Sequence, residues 1–308
     1  MSSQLHQAVI DKSHIKASQK KADKQHPLPL MVRLLRVGFR IGGMISPRLA
    51  GRIGYRLWFT PTRYKTPVSE KGARQSASIE HHKINGQTIA TYHWGQSGPT
   101  VLLVHGWSGR GTQLGSFVKP LVDAGFRVVS FDGPAHGDST GKQTNLYEFA
   151  NVILSLKDYC GPFDAAITHS FGGPCLTMAI KNGLNILRVV SISPPSKMEG
   201  LVKKFASALS IPKKAEKDLI RRIENVFGLN VWEEISMLSH VRELSIPALV
   251  IHDEDDVDIP WQDGETIAHA WNNAKFLKTS KLGHRRILRD PSTIEAAIDF
   301  IKTGSHSM

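Results

Sequence analysis

Cysteine is nearly absent, with only Cys160 and Cys175 among 308 residues. Two thiols cannot build a disulfide framework, and they lack the paired spacing of zinc sites. The chain is therefore expected in a reducing, cytoplasmic compartment, without a structural metal and with Cys175 as a small buried thiol. Long apolar runs are missing too. A transmembrane helix needs about 20 mostly uncharged apolar residues, whereas the apolar stretch 28–59 is interrupted by Arg33, Arg36, Arg40, Arg48, Arg52, Arg56 and Pro47. Residues 1–26 hold no apolar core of a secretory signal.

Acidic residues are scarce in one region. Residues 1–75 carry fifteen Lys and Arg against Asp11, Asp23 and Glu70, and residues 76–308 carry 24 of each sign. The net charge of +12 thus sits in the N-terminal quarter. Residues 1–27 read as a mobile basic tail, and 28–75 as an amphipathic helical extension with helices near 30–45 and 48–59. On the first, Arg33, Arg36 and Arg40 share one side. Two expectations compete: this segment lies on an anionic membrane surface through residues 28–60, or its apolar side docks on the rest of the chain while the arginines face water. A basic stretch alone does not specify nucleic acid, which is not the expected partner.

What is present is a globular composition, 41% hydrophobic and 21% charged, large enough for one sizeable core. From residue 78 the pattern alternates between strands and helices. Strands 78–84 and 87–93 flank Asn85-Gly86, a hairpin signal. Apolar strands follow at 100–104, 127–131, 165–168, 187–192, 248–251 and 274–279, separated by helical patterns. Repeated βα units after an antiparallel start predict an α/β domain over 76–308, with a mostly parallel central sheet and helices on both faces. Residues 195–245 break the rhythm with helical stretches near 198–210, 213–227 and 231–241, as a small helical lid would. Its Leu201, Phe205, Leu209, Phe227, Trp232 and Leu238 are candidates for an apolar wall.

Four loops carry chemistry-bearing residues. Strand 165–168 runs into Thr168-His169-Ser170-Phe171-Gly172, a G-x-S-x-G pattern with threonine in the first position; a tight strand-to-helix turn lifts the serine hydroxyl above a sheet. Strand 101–104 leads into His105-Gly106-Trp107-Ser108-Gly109. Strand 248–251 is followed by Asp253, Asp255, Asp256 and Asp258 before Pro260, a run without the alternation, glycine and glutamate of a calcium loop. Gly283-His284 follows the last strand. Phe131-Asp132-Gly133-Pro134-Ala135-His136-Gly137-Asp138-Ser139 resembles D-x-P-G-H-G-x-S, with Ala135 in place of a glycine.

In this order the motifs resemble the α/β-hydrolase superfamily over roughly residues 78–303. The resemblance implies an acyl-transferring serine enzyme: Ser170 as nucleophile, His284 as general base, Asp256 as the acid orienting it, and the backbone N–H groups of Trp107 and Phe171 as an oxyanion hole. Asp253 and Asp255 are expected as solvated neighbours of Asp256, and His105, Asp132 and His136 as structural. The expected substrate is a small-molecule carboxylic ester or thioester, hydrophobic or lipid-derived, cleaved without cofactor or metal; its binding residues are unspecified. An acyltransferase on the same residues, or a ligand-binding member without turnover, are the alternatives. The expected location is cytoplasmic, with the inner face of a membrane as a place of peripheral attachment.

Overall fold

The computed structural model describes residues 30–303; the basic tail 1–27 lies outside them. Eight strands form one sheet in the order β1-β2-β4-β3-β5-β6-β7-β8. β1 (Ser78–Ile84) and β2 (Gln87–Trp94) form the hairpin, and Asn85 (φ 49°) with Gly86 (φ 77°) supplies the two left-handed residues of a tight hairpin turn. β2 runs antiparallel to β4 (Arg127–Phe131), and the remaining pairings are parallel. The central strands β3 (Thr100–Val104), β5 (Ala165–His169) and β7 (Ala248–Asp253) are buried along their whole length, as strands covered on both faces must be. β6 (Arg188–Ile192) and β8 (Ala274–Thr279) complete the sheet.

Two apolar layers flank it. On one face α5 (Leu146–Cys160) places Phe149, Ile153 and Leu156 against Leu102, Val129 and Phe131. It is joined there by α6 (Gly172–Lys181) and α11 (Trp261–Ala270). On the other face α4 (Gly115–Asp123) and α13 (Pro291–Lys302) cover Val101, Leu103 and Ile167. A short helix not anticipated from the sequence, α3 (Val68–Ser76), follows Pro67; its Glu70 accepts from Arg110 (3.1 Å) and from the Thr112 hydroxyl (2.8 Å).

Between β6 and β7 lie α7 (Met198–Ala208), α8 (Lys213–Phe227), α9 (Val231–Glu234) and α10 (Met237–Val241). The single helix expected near 231–241 is broken in two. The Ser196 carbonyl takes both the Ser236 hydroxyl (3.0 Å) and the Leu238 N–H (3.1 Å), which draws the chain out of helical register.

The N-terminal extension forms α1 (Leu30–Ile45) and α2 (Pro47–Trp58), the second capped by the Ser46 hydroxyl and opened by Pro47. α2 lies directly on α8: a Cβ on Gly51 would collide with Asp218, and one on Gly54 would stand 3.7 Å from Leu219 and 3.3 Å from Ile211, just ahead of α8. One side of α1 docks as well. Phe39 joins Ala50, Ala206, Ile211 and Ala215 in a small cluster, and Arg36 Nε donates to Ser210 Oγ at 3.0 Å. Among the described residues no helix is long and apolar enough to cross a membrane.

Candidate active site

β5 ends at His169, and the chain turns at Ser170 into α6. Ser170 has φ 51°, the left-handed region, which costs a side-chain-bearing residue about 1–2 kcal/mol. Its N–H donates to Ile192 O (2.9 Å), and its carbonyl accepts from Gly173 N (3.0 Å), so the turn is pinned on both sides. Gly172 is required by a close approach: a Cβ there would stand 2.6 Å from Val104 O and 2.8 Å from His105 O. The threonine at the motif's first position fits because it faces Ser191 across β6, and the two hydroxyls bond at 3.0 Å.

His284 lies on the short helix α12 (Gly283–Arg286), and its Nδ1 is 2.7 Å from Asp256 Oδ2. A carboxylate only accepts, so Nδ1 carries a proton, and in the neutral imidazole Nε2 is the nitrogen with the lone pair. Asp256 is buried, and its Oδ1 accepts from the Asp258 and Ile259 N–H groups, each at 2.9 Å. A second imidazole, His252, stands 3.3 Å from Oδ2 and is itself fully buried. Burial pushes the Asp256 carboxyl up, but hydrogen bonds from His252, His284 and Ile259 overcome it and hold the group ionised, well below the usual carboxylate range. His169, the neighbour of Ser170, packs against His284 with ring centroids 4.6 Å apart and planes inclined by 47°, and bonds its carbonyl through Nε2 at 2.9 Å. Burial drives the His169 imidazole well below its ordinary pKa, so it is neutral.

Asp253 is not a solvated neighbour. It is fully buried and accepts from Asp255 N (3.0 Å), Thr279 Oγ1 (2.8 Å), Leu282 N (3.2 Å) and Gly283 N (2.8 Å). It ties the end of β7 to the end of β8 and to the residue before His284. Asp255 is exposed, as expected, and accepts from Lys281 N at 2.8 Å.

The loop after β3 abuts the serine: a Cβ on Gly106 would stand 3.1 Å from Ser170 Cβ. Among the described residues, the backbone N–H groups of Trp107 and Phe171 have no hydrogen-bond partner, while Ser108 N donates to His136 Nε2 at 3.0 Å. His105 bonds Gly106 O through Nδ1 (2.7 Å) and accepts from Gly133 N (2.9 Å). Asp132 accepts from Gly111 N, Tyr92 Oη and Asp138 N at 2.6–2.8 Å. These groups brace the loops. Burial lowers His105 to about 4 and His136 to about 3, so both are neutral.

Ser170, Trp107 and Phe171 line one cavity of about 170 Å³ whose walls are otherwise almost wholly apolar. From the β6–β7 insertion, Leu201, Phe227 and Trp232 line it. Phe205, Leu209 and Leu238 do not: Phe205 meets Trp58 edge to face (5.4 Å between centroids), Leu209 packs with the Phe39 cluster, and Leu238 is buried elsewhere in the insertion. The sequence reading missed Trp58 and Phe59, which enter the wall from the end of α2. Nothing local to α2 signals this, since it depends on α2 packing on α8.

Away from the cavity, His82, His93 and Cys160 offer three metal-ligating atoms within 4.8 Å of one another. Both imidazole Nε2 atoms are engaged by one hydroxyl, Thr91 Oγ1, at 3.0 and 2.9 Å.

The alpha/beta hydrolase family model matches residues 101–297. A non-heme chloroperoxidase of Kitasatospora aureofaciens is 32% identical over 119 residues, 36% of this chain and 42% of that protein. A lysophosphatidylserine lipase of Danio rerio is 24% identical over 230 residues, 67% of this chain and 59% of that one. The chain spans about half the length of the curated relatives it matches. The crystal structure of a membrane phospholipase A superposes with a TM-score of 0.60 at 15% identity, covering 78% of this chain and 90% of that one. With the family model matching from β3 into α13, the chain belongs to the alpha/beta hydrolase family.

Proposed function

We propose that the protein is a serine hydrolase that cleaves a carboxylic ester or thioester of a hydrophobic, lipid-derived acyl group. The observation that carries this reading is the left-handed Ser170 at the head of α6, beside a cavity of apolar walls, with His284, paired to Asp256, packed against its neighbour His169. Ser170 Oγ attacks the acyl carbonyl as His284 Nε2 takes its proton. Asp256 stays ionised, holds the tautomer and stabilises the imidazolium. The open N–H groups of Trp107 and Phe171 receive the charge that develops on the carbonyl oxygen. Collapse expels the alcohol or thiol, protonated by His284, and leaves an acyl-Ser170 that water hydrolyses with His284 again as base.

The near absence of polar lining favours an aliphatic or aromatic acyl group. Helices α7–α9 act as the lid that shapes the acyl site, with α2 as its fixed counter-wall. The lipase and phospholipase among the similar proteins agree with an apolar substrate. The reading includes a cytoplasmic enzyme attached peripherally at the inner face of a membrane through residues 28–60.

Labelling with a fluorophosphonate probe, followed by hydrolysis of p-nitrophenyl esters of increasing chain length, tests the chemistry. Wild type is expected to label and turn over, and Ser170→Ala to do neither. Absence of labelling and turnover in folded wild type would overturn the reading.

A further inference from the structure

The two sides of α1 have different fates. At about 100° per residue, Leu35, Phe39 and Gly43 fall on the side that meets α2 and the β6–β7 insertion. Leu30, Leu34, Val37, Ile41, Met44 and Ile45 fall on the opposite side, and each is more than half exposed. Leu49 and Ile53 of α2 extend this surface across an apolar groove between the helices, floored by Gly38 and Gly42. A contiguous aliphatic face of this size is uncommon on a monomer and marks a surface that something covers.

Charge identifies the occupant. Arg33 and Arg40 border the exposed apolar side of α1, and Arg48, Arg52 and Arg56 are exposed on α2. No acidic residue occurs from 30 to 69. An aliphatic centre beside guanidinium groups matches a bilayer whose headgroups are anionic, with the apolar side chains at acyl depth and the arginines at phosphate level. A second copy of the chain would bring these arginines against arginines, and nucleic acid offers nothing to the aliphatic centre. The face is also fixed relative to the active site. α2 is seated on α8 through Gly51 and runs about 18 Å from Pro47 to Trp58, a residue of the cavity wall.

We propose that the outward face of α1, continued by Leu49 and Ile53, docks on an anionic lipid bilayer, and that the ester substrate passes from that bilayer into the cavity along α2. The docking half stands on the surface itself; the substrate half rests on the hydrolase reading. The full chain, its Ser170→Ala form, Leu34→Glu/Ile41→Glu and Arg33→Glu/Arg40→Glu are sedimented with vesicles of phosphatidylglycerol and phosphatidylethanolamine, and with phosphatidylcholine vesicles. Hydrolysis of soluble p-nitrophenyl butyrate is followed beside that of a long-chain ester embedded in the vesicles.

Wild type and Ser170→Ala are expected to pellet with the anionic vesicles, less so at high salt. Both surface variants should bind about tenfold more weakly or worse, hydrolyse the soluble ester normally and lose activity on the embedded one. Failure of wild type to pellet would overturn docking. So would variants that pellet like wild type, since the basic tail would then be the anchor. So would a wild-type dimer that Leu34→Glu/Ile41→Glu separates without any vesicle binding. Vesicle binding without hydrolysis of either ester would leave docking intact and refute the hydrolase reading alone.

Discussion

Asp253→Ala removes one side chain and releases four donors: Gly283 N, Leu282 N, Thr279 Oγ1 and Asp255 N. Asp255 is exposed and rehydrates, whereas Gly283 is buried, and Leu282 and Thr279 are half-buried. A buried donor left unmade costs about 1–3 kcal/mol, and hydrogen bonds to a charged group contribute more than neutral ones. Counting Gly283 in full and the two half-buried donors in part gives a loss of about 3 kcal/mol. Asp253→Asn keeps one oxygen for Gly283 and Leu282 and offers its amide to the Thr279 hydroxyl, which can reverse its role; the expected loss is about 1 kcal/mol.

The Asp253 carboxylate also holds Gly283, the residue before the proposed general base His284, so kcat should fall as well. A displacement of about 1 Å at a reacting group lowers rate about a hundredfold. Urea unfolding with linear extrapolation and p-nitrophenyl ester kinetics measure the two effects. The loss should fall on kcat while KM stays near wild type, because Asp253 does not line the cavity. Burial pushes the Asp253 carboxyl up, but its hydrogen bonds from Gly283, Thr279, Asp255 and Leu282 hold it below its ordinary range. Its stabilisation is therefore full above the unfolded carboxylate pKa and disappears as pH falls through the lower folded value. The gap between wild type and Asp253→Asn should close in acid. An Asp253→Ala protein within about 0.5 kcal/mol of wild type and with unchanged kcat would refute the argument, because the His284 loop would then be held by other contacts.

Trp58→Ala should raise KM for long-chain p-nitrophenyl esters about tenfold, as expected for losing one aromatic wall, while short-chain esters change little; equal effects on both would mean that α2 does not bound the acyl site. His105 and His136 are neutral in the fold, lowered to about 4 and about 3 from 6.5. The unfolded chain therefore binds more protons between these values, and stability should be full above pH 6.5 and decline by up to about 1.4 kcal/mol per pH unit per histidine as pH falls below it; urea midpoints at neutral and acid pH measure this, and a His105→Gln protein should show a shallower decline. Ala135 sits at φ 64°, so Ala135→Gly should raise the unfolding free energy by up to about 1 kcal/mol, the relief of a left-handed residue less glycine's entropy in the unfolded chain, read as a higher urea midpoint.

Features encoded within a few neighbouring residues were legible in the amino-acid order. Asn85-Gly86 specifies a hairpin through backbone sterics. The buried strands announce themselves as continuous apolar runs, and the turn at Ser170 is read from the small residues that let α6 begin beneath it. Asp253 and Asp256 stand in one short acidic run, and nothing within that run marks Asp253 as buried. Its partners at Thr279, Leu282 and Gly283 are 26 to 30 residues away, beyond any local pattern.

The sequence by itself determined the alternation that builds a parallel sheet, the chain order of Ser170, Asp256 and His284, and the basic bias of the first quarter, because each is a matter of residue type and short-range spacing. Tertiary structure alone decided that Trp58 and Phe59 close the cavity, that Phe205 and Leu209 turn away from it, and that α1 buries one apolar side while leaving the other in the open. Those outcomes depend on which helix Gly51 and Gly54 allow α2 to approach, and close packing between distant segments leaves no periodic trace in the chain.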